Sequence, residues 1–159
     1  MTTVLGISPG TRVTGLVIMG DEGLIDWKVK CFKGHWSDSK LKDIVHILRT
    51  YIEEYEINSV ILKKPDVFRS SGGLEQLIAE LRACCNRLGI QLSMVSLRTM
   101  KSWYGSSRGY SKSNMIRDVL TKYPELFTSY NKEQRSRNHY YTKMFEALIL
   151  AGHGQVAIK

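Results

Sequence analysis

Residues 4–15 read Val-Leu-Gly-Ile-Ser-Pro-Gly-Thr-Arg-Val-Thr-Gly, and this stretch decides the fold. The apolar run at 3–7 predicts a buried strand, and the run at 13–19 predicts a second one. Between them lies a tight turn, in which Pro9 fixes φ and Gly10 permits a backbone conformation that other residues avoid. Such a unit presents Ser8, at the end of the first strand, at the edge of a sheet.

The patterns that follow predict three more strands and four helices. Period-two alternation or a short apolar run marks each strand, and apolar residues at helical spacing mark each helix. The strands are expected at 24–32, 57–62 and 90–95, and the helices at 41–55, 74–88, 111–123 and 140–151. A hairpin turn before the third strand gives an antiparallel meander, and helical crossovers then add parallel strands. The sequence predicts one α/β domain over residues 1–159, with a five-stranded mixed sheet and helices on both faces.

Composition limits the class of protein. The 159 residues are 43% hydrophobic and 24% charged, as in ordinary globular proteins. Cys31, Cys84 and Cys85 are odd in number and lack zinc-ligand spacing, which favours a reducing compartment. The sequence shows neither a signal peptide nor a membrane-spanning run. We therefore expect a soluble, intracellular protein.

The charge balance points to a polyanionic partner. The formal net charge is +8 at pH 7, and Lys and Arg gain affinity for nucleic acid by displacing counterions from phosphates. From charge alone, a soluble protein that is merely basic is an equally good interpretation.

The stretch at 4–15 closely resembles the opening of the RuvC-like Holliday-junction resolvases, which have the ribonuclease H fold. In that family an Asp usually stands at the position of Ser8. The family's fourth strand ends in a catalytic Glu at the position of Lys63. Its last helix carries one carboxylate at the position of Glu146 and another three or four residues earlier, where this chain has Lys143 and Thr142. The resemblance implies a fold, a junction DNA substrate, a homodimer and Mg²⁺-dependent cleavage.

The missing carboxylates argue against that cleavage. Two-metal hydrolysis needs acidic ligands around ions about 3.5–4 Å apart. The local charge changes from about −4 in the family to about +1 here, and one ammonium ~5 Å from a divalent ion repels it by about 6–7 kcal/mol at an effective dielectric of 20. We expect no metal cofactor. Lys63 and Lys143 are then candidates to contact phosphates directly, with Glu146 holding one of them in place, or simply residues of a solvated surface.

Further basic and aromatic residues are candidates for a nucleic-acid-binding face. Cations pair with phosphates, and exposed aromatic rings stack on unpaired bases. The candidates are Arg12, Lys64, Arg69, Ser70, Arg98, Lys101, Tyr104, Arg108, Tyr110, Lys112, Arg135 and Arg137. A charge run is also typical of a solvated face, and Trp103, within this region, is as well explained as a core residue.

The favoured hypothesis is a catalytically defective resolvase homologue that binds branched nucleic acid, with four-way-junction DNA preferred, as a homodimer without a small-molecule substrate. One alternative is an active Mg²⁺- or Mn²⁺-dependent junction endonuclease with an unusual ligand set that includes Glu146. Another is a structural nucleic-acid-binding subunit of a larger particle.

Overall fold

The computed structural model describes residues 2–66, 70–105, 109–135 and 140–158, without the side chains of residues 133–135, 140 and 156–158. The strands are β1 (Val4–Ser8), β2 (Val13–Gly20), β3 (Gly23–Cys31), β4 (Ser59–Lys63) and β5 (Gln91–Val95). The α-helices are α1 (Asp38–Glu54), α2 (Gly72–Leu88), α3 (Leu97–Ser102), α4 (Lys112–Leu120), α5 (Phe127–Arg135) and α6 (Tyr140–Ile158), with a 3₁₀ turn at Pro124–Leu126.

The strands form one mixed sheet in the order β3-β2-β1-β4-β5. The pairs β1–β2 and β2–β3 are antiparallel, whereas β1–β4 and β4–β5 are parallel. The predicted meander and the predicted five-stranded mixed sheet are therefore confirmed. In the register of the β1–β4 pair, Ile7 lies opposite Leu62, so that Ser8 and Lys63 follow as neighbours at the same edge of the sheet.

Helices cover both faces of the sheet, as predicted. On one face, α1 and α2 bury a core that includes Leu5 and Ile7 of β1 and Leu62 of β4. On the other face, α6 packs with α3 and α4 over Val4 and Ile61. Because side chains alternate along a strand, Ser8 and Lys63 project toward the α6 face.

The helix α6 lies unusually close to the backbone of the sheet. A Cβ atom on Gly6 would be 2.2 Å from the carbonyl oxygen of Ala147, and one on Gly15 would be 2.2 Å from the carbonyl oxygen of Lys143. Both distances are far below van der Waals contact, so only glycine permits this approach. These two glycines fix the height of α6 above β1 and β2, and thereby the position of the polar residues that α6 carries.

The role expected for Gly10 needs correction. Its φ is not positive, so the turn does not use the conformational freedom of glycine there. A Cβ atom would instead lie 2.3 Å from the carbonyl oxygen of Val13. The turn is closed by Thr14, whose Oγ1 donates to the carbonyl oxygen of Gly10 at 2.9 Å. Space, and not backbone conformation, requires glycine at this position.

Two helices were not predicted, and the last helix continues well beyond its predicted end. α3 begins after Ser96, whose side chain accepts a hydrogen bond from Thr99 N–H, but its six residues bury only Met100, which is too short a pattern to detect. α5 is strongly polar, and its residues were predicted only as a polar stretch between two helices. α6 continues to Ile158, beyond the predicted end at 151. Within the described ranges, no helix has the length and apolar character needed to cross a membrane.

Candidate nucleic-acid interface

Three elements bring four polar residues together at one end of the sheet. Ser8 ends β1, Lys63 ends β4, and Lys143 and Glu146 lie on the first two turns of α6. Strand register places the first two side by side, and the close packing of α6 on Gly15 brings the other two above them. These are the four positions singled out from the sequence, and the fold makes them neighbours.

Glu146 is the centre of this cluster. Its side chain is only 1% exposed. Its Oε1 accepts a hydrogen bond from Ser8 Oγ at 3.1 Å, and its Oε2 pairs with Lys63 Nζ. Both carboxylate oxygens are therefore engaged by groups of this chain.

A second ammonium group reaches the same carboxylate. Lys112 Nζ lies 3.3 Å from Glu146 Oε2. Lys112 is the first residue of α4, which begins after Ser111, a capping residue whose side chain accepts a hydrogen bond from Asn114 N–H. The sequence indicated Lys112 as a nucleic-acid-binding candidate but gave no sign that it would join this cluster, because the contact depends on how α4 docks. We call Ser8, Lys63, Lys112, Lys143 and Glu146 the lysine cluster.

Lys143 lies at the turn between β1 and β2. Its Nζ donates a hydrogen bond to the carbonyl oxygen of Pro9 at 3.1 Å. It still contributes to the electrostatics of Glu146, since its charge lowers the pKa of that carboxyl group. Glu146 therefore holds two lysines and not one: Lys63 and Lys112 share its carboxylate, whereas Lys143 binds the turn.

Charge decides the ionisation state of Glu146. Burial raises the pKa of its carboxyl group, but the neighbouring ammonium groups of Lys63, Lys112 and Lys143, together with the hydrogen bond from Lys63, lower it more. The net result is a pKa below the ordinary value, so the group is a carboxylate at neutral pH. One buried negative charge therefore faces three positive charges.

The lysine cluster does not have the donor set of a magnesium centre. Mg²⁺ prefers several oxygen ligands in octahedral geometry. Glu146 is the cluster's one carboxylate, and its oxygens are already occupied by Ser8, Lys63 and Lys112. Across the part of the chain that the structure describes, no group of three or more His, Cys, Asp or Glu side chains is placed to hold a metal ion.

The remaining binding candidates are spread over the surface near the lysine cluster and beyond it. Lys64 is exposed just after β4, where its N–H donates to the carbonyl oxygen of Val95 at 2.7 Å. Arg12 and Arg98 are exposed, and Lys101 is half-buried. The Oγ of Ser70 donates to Glu75 at 3.2 Å. Arg69, Arg108 and Arg137 lie outside the described residues, and for Arg135 only the backbone, in α5, is described.

The aromatic candidates are packed more closely than freely exposed rings. Tyr104 is half-buried against the α6-side core, and burial raises the pKa of its hydroxyl to about 12. Tyr110 is also half-buried, and its hydroxyl donates to Asp118. Trp103 packs on the same core and stacks on His153, with ring centroids 3.6 Å apart. His153 carried no signal in the sequence, since its partner lies fifty residues earlier.

Comparison with known proteins gives the fold a precedent. No protein-family model and no curated protein sequence matches the chain. Among solved structures, RuvC from Thermus thermophilus in complex with a Holliday junction substrate matches with a TM-score of 0.71 and 14% identity, over 99% of this chain and 96% of that one. Fowlpox virus resolvase in complex with Holliday junction DNA matches with a TM-score of 0.63 and 13% identity, over 99% of each chain. Over nearly its whole length, therefore, this chain has the ribonuclease H-like fold of the RuvC-like resolvases, as residues 4–15 predicted.

Proposed function

We propose that this protein binds branched DNA, with four-way junctions preferred, and holds the backbone through its lysine cluster without hydrolysing it. The observation that carries the proposal is the state of Glu146. In a two-metal site this carboxylate would hold a cation, whereas here Lys63 and Lys112 occupy it. The ammonium groups supply the positive charge that metal ions would otherwise bring to the phosphate.

The cluster has positive charge to spare. Three lysines face one carboxylate, so about two positive charges remain for an anion. The side chains of Lys63 and Lys112 are 16% and 32% exposed, compared with 1% for Glu146. Glu146 therefore holds the inner side of the ammonium groups, while their outer side stays open to a phosphate.

Hydrolysis needs more than charge. A water molecule must be deprotonated near the phosphorus atom, and the leaving oxygen must be stabilised. Glu146 is a poor general base, because three ammonium groups keep its pKa low and both of its oxygens accept hydrogen bonds. Ser8 donates its hydroxyl to Glu146, and a carboxylate of such low basicity is a poor activator of a nucleophile. We therefore expect binding without cleavage.

The preference for branched DNA rests on the fold. The two matched proteins align with this chain over nearly their whole length, and both were solved in complex with Holliday junction DNA. We propose the same type of ligand here, bound by a homodimer whose two copies meet the two related strands of a junction.

The experiment that tests this function is incubation of an end-labelled four-way junction with the protein and Mg²⁺ or Mn²⁺. We expect intact strands on a denaturing gel and a shifted junction on a parallel native gel. A linear duplex of equal length, added as competitor, should displace the junction poorly. Symmetric nicks that disappear in Glu146→Gln would contradict the proposal, because the carboxylate would then serve catalysis. Equal competition by linear duplex would contradict the junction preference.

A further inference from the structure

A cavity of about 620 Å³ lies between the end of α4 and the C-terminal half of α6, and none of its lining residues belongs to the lysine cluster. Its volume is in the range of small-molecule sites, which is about 300–1,000 Å³. α4 and the segment after it form one wall, and the C-terminal half of α6 forms the other. The residues that matter for binding are Trp103, Tyr104, Asp118, Lys122, Tyr123 and His153.

Flat, uncharged rings dominate this cavity. The rings of Trp103 and His153 are parallel, with an interplanar angle of 4°. Partial burial lowers the pKa of His153, so the imidazole is neutral at physiological pH. Burial likewise raises the pKa of Tyr104 and Tyr123, which keeps both phenols neutral. Such walls suit a planar, weakly polar ring, because aromatic faces attract one another by stacking.

Two charged groups stand at the rim of the cavity. Lys122 Nζ lies 5.8 Å from the centre of the Tyr104 ring, and its side chain is exposed. Asp118, also exposed, accepts a hydrogen bond from Tyr110 and has further lone pairs for a second donor. One cation and one acceptor beside a stacking surface match a ligand that combines a phosphate, a planar ring and an amino group.

The cavity is within reach of the lysine cluster. α4 connects the two, since Lys112 begins this helix and Asp118 lies six residues later. Six residues correspond to about 9 Å of helix rise. A single strand whose phosphate is held by Lys112 is thus close enough to place a nearby base at the cavity.

We propose that this cavity binds an unpaired nucleobase. The base extends the Trp103–His153 stack, its phosphate lies toward Lys122, and its exocyclic amino group donates to Asp118. Carboxylates read such amino groups, as when Asp or Glu accepts from the N4 amine of cytosine. The inference rests on the proposed nucleic-acid-binding function and adds to it a site for bases that are unstacked at a branch point.

The test uses free nucleotides and the intrinsic fluorescence of the full-length protein. Deoxycytidine monophosphate should quench the emission saturably, and deoxyribose 5-phosphate, which has no base, should not. His153→Ala should weaken binding about tenfold, the usual order for loss of a stacking partner. Asp118→Asn should remove the preference for deoxycytidine over deoxythymidine monophosphate, because an amide both donates and accepts.

Matched tryptophan variants locate the signal. The quenching should vanish in Trp103→Phe and persist in Trp36→Phe, since Trp36 lies across the sheet against α2. Thermal unfolding of each variant shows whether it is folded. Quenching that never saturates, that is equal with deoxyribose 5-phosphate, or that survives in Trp103→Phe would overturn the proposal.

Lys112→Ala and His153→Ala distinguish the base site from junction binding by the lysine cluster. Lys112→Ala lies outside the cavity, so it should weaken junction binding and leave the affinity for deoxycytidine monophosphate unchanged. A protein that binds the nucleotide but no junction would refute the proposed function and keep the base site. If the original protein shows no quenching by the nucleotide, and His153→Ala binds the junction as tightly as the original protein does, the base site alone is refuted.

Discussion

The two faces of the sheet are covered in different ways. On the α1 and α2 face, contact is made by interlocking Leu and Ile side chains, such as Leu48 and Leu77, which are fully buried. On the other face, α6 approaches until its backbone lies against Gly6 and Gly15. The only carboxylate of the lysine cluster is buried on this second face.

The difference shows where precise positioning comes from. Side chains in an apolar core can shift to absorb a substitution, but two backbones in direct contact cannot. α6 is therefore held at a fixed height and register, and Glu146 is held within 3.1 Å of Ser8 and 3.3 Å of Lys112. Substitutions on the two faces should therefore differ in their effects on stability and binding.

The largest effect is expected for Gly15→Ala. A Cβ atom there would meet three backbone atoms of α6 within 2.4 Å, so the helix would have to move. We expect a loss of about 4 kcal/mol in the free energy of unfolding, above the usual range for overpacking because no side chain can yield. Gly72→Ala on α2 is the matched control, since its Cβ would meet nothing within 4 Å. Urea unfolding measures the free energy of unfolding of both variants. Equal values would show that the two faces of the sheet do not differ in their tolerance of added volume.

The next largest effect is expected for Glu146→Gln. The neutral amide leaves the partly exposed ammonium groups of Lys63 and Lys112 without their counter-charge. Breaking a fully buried ion pair costs about 3–5 kcal/mol, and solvent access to the two ammonium groups reduces the expected loss here to about 2 kcal/mol. Adding Lys63→Met should restore part of the loss, because the unpaired ammonium is then gone. If chemical denaturation shows the single variant to be as stable as the original protein, Glu146 is not the centre of the cluster.

A smaller effect is expected for the affinity of Lys112→Ala for a four-way junction. Loss of one phosphate contact should weaken binding about tenfold at low salt and reduce the slope of log affinity against log salt by about 1. Lys42→Ala is the control, since Lys42 is exposed on α1, over the opposite face of the sheet. Fluorescence anisotropy over a salt series measures both slopes. If both variants change the affinity and the salt slope equally, junction binding depends on the total charge of the protein and not on the face of the sheet that carries the lysine.

The smallest effect is a dependence of stability on pH. The pKa of Glu146 is lower in the folded protein than its ordinary value of 4.5, so its ionisation favours folding above that pH. This contribution is lost as the pH falls from 4.5 through the folded pKa. The difference in unfolding free energy between the original protein and Glu146→Gln should therefore narrow below about pH 4.5. A constant difference between pH 7 and pH 3 would contradict the role of the ammonium groups.

Local patterns in the sequence predicted most of the fold. Each of the five strands was found within two residues of its observed start and end, because alternation and turn residues act over short distances. α3 and α5 were missed for the same reason: one buries a single residue, and the other shows a polar surface. The site was predicted in part, since Ser8, Lys63, Lys143 and Glu146 do come together, but Lys112 was not expected among them.

By itself, then, the sequence determined the strand–turn–strand unit at 4–15 and the presence of lysines where the resembled family has acidic residues. These are properties of single positions and of short stretches, because residue type sets the local backbone conformation and the alternation of side chains. Only the tertiary structure decided that α6 packs on Gly6 and Gly15, that Lys112 shares the carboxylate of Glu146, and that Trp103 stacks on His153. Those partners lie on separate elements. Their contacts form because α6 packs against Gly6 and Gly15 and α4 packs beside α6.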